Sequence, residues 1–185
     1  MNGPASLSVR PTRSVTLQIM AGIRRKCFIS HHTADVAAVN SFISTFGAGN
    51  FIKRGITMPR DVVASDDTEY VMRRVRELYI RDSTVTIVLI GRCTWARRFV
   101  DWEVQASLRK PANGLPNGLL AVLLDSSIRP ALPDRVKLNK DSGYADYHYY
   151  PSSASRLGDW IETAYAARAQ REHLRKNPRT RYTYN

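Results

Sequence analysis

The chain has 185 residues, of which 43% are apolar and 24% charged, enough for one buried core and too few for two ordinary domains. No run approaches the roughly 20 apolar residues of a membrane-spanning helix, and two cysteines are too few for a disulfide scaffold or a four-cysteine zinc site. The formal net charge of +12 sits mainly at the ends: Arg10, Arg13, Arg24, Arg25 and Lys26 have no acid among them, and Arg168, Arg171, Arg175, Lys176, Arg179 and Arg181 have only Glu172, so the nearly neutral body between argues against a nucleic-acid partner.

Residues 1–23 are acid-free and weakly patterned, and read as a disordered leader or a start assigned too early, since Met20 lies just before the first strand. One domain is expected over 24–176, followed by a basic tail over 177–185. Residues 26–30, Lys-Cys-Phe-Ile-Ser, predict that first strand. Asp35 then precedes Val36, Val39, Ile43 and Phe46 at helical spacing, and Gly47 and Gly49 are expected to end the helix. A short second strand is expected within 51–58. Asp66 and Asp67 offer an N-cap for a helix with Val71, Val75, Leu78 and Tyr79 on its apolar face.

Residues 84–90 are β-branched and almost continuously apolar, which predicts a strand covered on both faces and closed by Gly91. A helix is expected over 95–110, a loop rich in Pro, Gly and Asn over 111–117, and a second buried strand over 118–124. Residues 126–140 read as an irregular surface connection and 144–150 as an edge strand. Residues 153–176 read as a last helix burying Leu157, Trp160, Ile161 and Ala164. Strands alternating with helices predict an α/β fold with a central, mostly parallel sheet of about five strands and helices on both faces. Strands 84–90 and 118–124 should be its central, adjacent pair. Ligands bind beyond the carboxyl ends of such strands, here at Ser30-His31-His32-Thr33 and Gly91-Arg92-Cys93-Thr94. His31, His32, His148 and His173 have none of the spacings of a metal site, and none is expected.

The helix expected over 95–110 carries one carboxylate out of place. At about 100° per residue, Trp95, Ala96, Phe99, Val100, Trp102 and Ala106 share one arc, and Arg97, Arg98, Asp101, Gln105 and Arg109 lie opposite. Glu103 projects within the apolar arc, where a carboxylate is costly unless paired or used. It serves chemistry, as an acid, a base or a stabiliser of a developing cation, or it is half of an ion pair with Arg54 or Arg60.

Four blocks in this order resemble the ThsB-type TIR-like family, the TIR-like subunit of the bacterial Thoeris anti-phage system. They are Arg25-Lys-Cys-Phe-Ile-Ser-His-His32, Asp66-Asp-Thr-Glu-Tyr-Val-Met72, Ser83-Thr-Val-Thr-Ile-Val-Leu-Ile-Gly91 and Thr94-Trp-Ala-Arg-Arg-Phe-Val-Asp-Trp-Glu-Val104. The resemblance spans roughly 26–124. It implies a flavodoxin-like, three-layer sandwich, a cytoplasmic protein, and cleavage of the nicotinamide–ribose bond of NAD, which is a substrate and not a cofactor. The product implied is a cyclic or conjugated ADP-ribose signal read by a partner effector, with self-association through TIR-like contacts.

The resemblance places the catalytic glutamate at Glu103, stabilising an oxocarbenium-like ribose, with Ser30, His31 and His32 lining the nucleotide pocket and Thr94 and Trp95 flanking it. From their arc alone, Trp95 and Trp102 read as core. Two departures stand out: Phe99 replaces a tryptophan common in TIR domains, and the loop from Ser30 to Asp35 is one residue short. A non-catalytic TIR-like interaction module and a nucleotide N-glycosidase are the alternatives. A phospho-receiver domain is rejected, because Ser30-His31 and Gly91 stand where it needs acids.

Overall fold

The computed structural model describes residues 24–54 and 67–178. The expected leader and Arg60 lie outside the described residues. The elements are β1 (Arg25–Ser30), α1 (Val36–Asn50), β2 (Phe51–Arg54), α2 (Thr68–Val75), β3 (Val85–Ile90), α3 (Arg98–Ser107), β4 (Gly118–Leu123), α4 (Asp134–Asp141), β5 (Asp146–His148) and α5 (Ala154–Gln170). The five strands form one sheet in the order β2-β1-β3-β4-β5, with every neighbouring pair parallel. As expected, β3 and β4 are central and adjacent, and every one of their residues is buried.

Strand alternation assigns the two faces. Cys27, Ile29, Val85, Ile87, Leu89, Leu120 and Val122 point to one side, where α1 contributes Val39, Phe42 and Phe46 and α5 contributes Leu157, Ile161 and Ala164. Val88, Ile90, Leu119, Ala121 and Leu123 point to the other, under Val100 and Val104 of α3 and Val136 of α4. Phe28 shares that second side and packs with Val75, Ile80, Trp102 and Ala106. Thr86, the one polar residue of β3, is satisfied there: buried Asn117 donates to its hydroxyl at 3.2 Å and to Ser83 Oγ at 2.7 Å, and Tyr144 Oη donates to the Asn117 carbonyl at 2.7 Å. Gly118 admits α5 to close contact, since a Cβ there would overlap the Ala164 carbonyl.

Several expectations need correction. Helix α1 runs through Gly47 and Gly49 to Asn50, because Gly47 lies against Phe51 and the chain turns directly into β2; Val36 is 45% exposed. Asp67 does cap α2, accepting from the Tyr70 N–H at 3.0 Å. A π turn over Arg76–Ile80 then shifts the helical phase, so that Ile80 is buried and Leu78 is 44% exposed. The side chain of Val71 lies outside the described ones.

Helix α4 forms within the segment read as irregular. Its apolar signal is weak because its buried residues include Arg135 and Asn139. The last helix ends at Gln170, and a 3-10 turn over Glu172–Leu174 leads to an extended segment. That segment lies on α3 and α4. Lys176 exchanges two hydrogen bonds with Asn139 (2.9 and 2.7 Å), Asn177 donates to the Gln105 carbonyl at 3.1 Å, and the Pro178 carbonyl accepts from Arg135 at 2.7 Å and Gln105 at 3.2 Å. Among the described residues, no helix is long and apolar enough to cross a membrane.

Candidate functional site

The strand order makes the direction of crossover change between β1 and β3, and it is at such a switch point, beyond the carboxyl ends of the strands, that ligands bind in open α/β sheets. Ser30 ends β1 on the same face as Phe28, beneath α3, and is fully buried. Helix α3 carries Glu103 over this point, one turn after Phe99 and one turn before Ala106. The Ser30 hydroxyl donates to Glu103 Oε2 at 2.6 Å, a short charge-assisted bond when the carboxyl is ionised. Two residues 73 positions apart thus meet through the fold.

Glu103 is half-buried as a residue, but its carboxyl end is enclosed enough that burial pushes its pKa up to about 8, against a smaller downward pull from Ser30. The group therefore exchanges its proton near neutral pH. Of the two ion-pair partners considered for it, the side chain of Arg54 and all of Arg60 lie outside the described residues.

The loop after β1 holds His31 and His32, both half-buried. The His32 carbonyl accepts the Asp35 N–H at 2.9 Å, which tightens the loop into a 3-10 turn over Thr33–Asp35. Burial, and then the charge of Arg97, lowers the His32 pKa, with Asp35 opposing. His32 therefore favours the neutral imidazole.

Thr94 is buried and acts between loops rather than at the surface. Its hydroxyl accepts the Gly91 N–H at 2.8 Å and donates to Asp35 Oδ2 at 3.4 Å. A Cβ at Gly91 would overlap the Asp35 carboxylate. Asp35, Gly91 and Thr94 thus pin the two carboxyl-end loops together. Thr94 positions the site, and no bond joins it to Glu103 among the described residues.

Trp95 corrects the core reading. It stands in a separate 3-10 turn over Thr94–Ala96, followed by extended Arg97, so the phase of α3 cannot be extrapolated back to it; it is 47% exposed. Trp102, within the helix, is buried as expected. Asp101 and Gln105, expected outside, are buried as well. Asp101 forms a two-pronged ion pair with Arg135 at 2.9 and 3.2 Å, and Gln105 meets the C-terminal segment.

Sequence reasoning missed Arg97. The helical arc puts it on the outer face, but the helix begins one residue later, and Arg97 lies near enough to His32 to shift its proton affinity. Its buried Nε lacks a partner. The signal available was charge alone, an Arg pair in the most family-like block. Chemically, the Ser30 hydroxyl and a Glu103 carboxyl of raised pKa meet beneath α3, while the loops beyond β1 and β3 carry His32, Arg97 and the exposed indole of Trp95.

The family model described as Thoeris protein ThsB, TIR-like domain, matches residues 28–128, more than half of the chain. The match runs from β1 through Glu103 and beyond β4. A search of the curated proteins finds no match.

Proposed function

The chain belongs to the Thoeris protein ThsB TIR-like domain family, and we propose that it cleaves the nicotinamide–ribose bond of NAD with Glu103 as the catalytic carboxylate. The observation that carries this reading is the Ser30–Glu103 pair beyond β1, with the carboxyl pKa pushed up to about 8 by burial. An enclosed carboxylate whose donor among the described residues is a serine hydroxyl is poorly stabilised as an anion. It gains most from a cation placed beside it. NAD brings such a charge on its nicotinamide ring, and the reaction moves it to the ribose.

As the C1′–N bond breaks, its electron pair goes to nicotinamide, which leaves neutral, and C1′ gains oxocarbenium character. Glu103 stabilises that charge and holds the ribose hydroxyls; Ser30 fixes its orientation. Water or a nucleophile of the same dinucleotide then attacks C1′, giving ADP-ribose or a cyclic product for a partner effector. Arg97 fits the diphosphate, neutral His32 a ribose or amide group, and exposed Trp95 a base face.

The test is nicotinamide release from NAD by the purified full chain, with and without lysate of infected cells. Glu103→Gln keeps the shape and the acceptor for Ser30. It should not lower the melting temperature, and turnover should fall at least about a hundredfold, the scale of losing one preorganised transition-state contact. Absence of release under both conditions would favour a TIR-like interaction module. A stable variant with undiminished turnover would remove Glu103 from the mechanism.

A further inference from the structure

A cavity lies toward the amino ends of β3 and β4, lined in part by Ala106, one turn of α3 beyond Glu103. It has a volume of about 400 Å³ and opens beside Ser83 and Thr84, before β3, and Asn117, before β4. That size is within the roughly 300–1,000 Å³ of small-molecule sites. Four arginines line it from three parts of the chain: Arg76 in the π turn after α2 and Arg81 just past that turn, Arg109 just past α3, and Arg168 in α5. Their elements are far apart in the chain, so no single charged stretch explains the convergence.

Three of them, Arg81, Arg109 and Arg168, outnumber the acids nearby. Glu77 and Asp82 also line the cavity, and Glu77 already meets Arg74 at 3.4 Å. Elsewhere this molecule pairs its cations closely, as in Arg25–Glu162 at 2.7 Å and Arg135–Asp101 at 2.9 Å. Here Arg168 is half-buried, and it donates from Nε to the Pro116 carbonyl at 2.8 Å, which fixes its guanidinium at the wall. Burial lowers its pKa, so its charge is held against a desolvation cost. Ile80, Ala106 and Leu115 supply an apolar surface beside the cations.

We propose that this cavity binds a phosphate-bearing small molecule of mononucleotide size, its phosphate among Arg81, Arg109 and Arg168 and its apolar part against Ile80 and Leu115. Guanidinium forks match phosphate oxygens, and an apolar wall suits a ring or a sugar face. The limited volume favours one such molecule over a polymer. The site is independent of Glu103 and of the reaction proposed there.

The test is calorimetric titration of the full chain at low ionic strength with AMP and with inorganic pyrophosphate. Arg81 and Arg109 are exposed, so Arg81→Ser/Arg109→Ser should keep the melting temperature. It should weaken binding at least about tenfold, the effect of losing one charge-assisted contact. Glu103→Gln should bind the same probes unchanged, which separates this cavity from the other site. Failure of both probes to bind the wild type, or equal binding by the double variant, would overturn the proposal. Tighter binding of a long single-stranded oligonucleotide, lost in the same variant, would replace the small molecule with a polyanion.

Discussion

Ser30 and burial act in opposite directions on one proton of Glu103, and burial is the larger influence. The folded carboxyl, with its pKa pushed up from 4.5 to about 8, binds a proton that the unfolded chain releases across that interval. Stability from this group is therefore fully present below pH 4.5 and is lost as pH climbs through about 8. The melting temperature of Glu103→Gln minus that of the wild type should rise steadily over this window, and a flat difference would contradict the enclosed carboxyl. If the ionised form does the chemistry, kcat/KM for NAD should rise with pH around an apparent midpoint near 8. A second residue-scale outcome concerns Gly118, whose missing Cβ lets the Ala164 carbonyl approach. Gly118→Ala should cost about 1–3 kcal/mol in denaturant unfolding, the range for overpacking, while a neutral result would mean α5 is free to shift. Glu103 was legible because a carboxylate on an apolar arc needs a reason. The role of Thr94 was not, because burial and its bonds to Gly91 and Asp35 exist only after two loops meet.

Helix α3 shows why an arc drawn from sequence reads only part of a helix. Its apolar residues meet the sheet, but the face opposite is also covered, by α4 and by the extended segment after α5. Polar side chains can be buried there because each finds a partner, Asp101 in Arg135 and Gln105 in the Pro178 carbonyl. The same reason hid α4, whose inward positions include Arg135 and Asn139 rather than apolar residues alone. Strands β3 and β4 had no such ambiguity, since continuous β-branched and aliphatic runs suit only two covered faces. Removing residues 175–178 would leave Asn139, Gln105 and Arg135 short of partners, at about 1–3 kcal/mol for each group left unsatisfied. A chain ending at Leu174 should melt well below one ending at Pro178, and equal melting temperatures would show that the segment only rests on the surface. Because α3 also carries Glu103, the shorter chain should lose nicotinamide release along with stability.

Across the whole molecule, the two proposed sites fall at different levels of the sheet. Ser30 registers with Val88, four residues beyond Thr84, so at about 3.3 Å per residue the Ser30–Glu103 pair lies roughly 13 Å along the sheet from the edge of the arginine-lined cavity. Every strand neighbours its partners in parallel, so each pairing depends on a crossover that encloses the sheet from one side or the other. Cys27 shares in that enclosure: it is fully buried in β1, between β2 and β3, and burial raises its thiol pKa. Cys93 stands exposed in the loop after β3. An aromatic disulfide reagent added to the native protein should consume one thiol promptly, at the rate of an ordinary free cysteine. The second should follow only as β1 comes away from its neighbours, and both should react at once in strong denaturant. Prompt reaction of both in the native state would mean that β1 does not stay seated. Otherwise the slow thiol is a built-in clock, reporting without any added label how often this sheet opens.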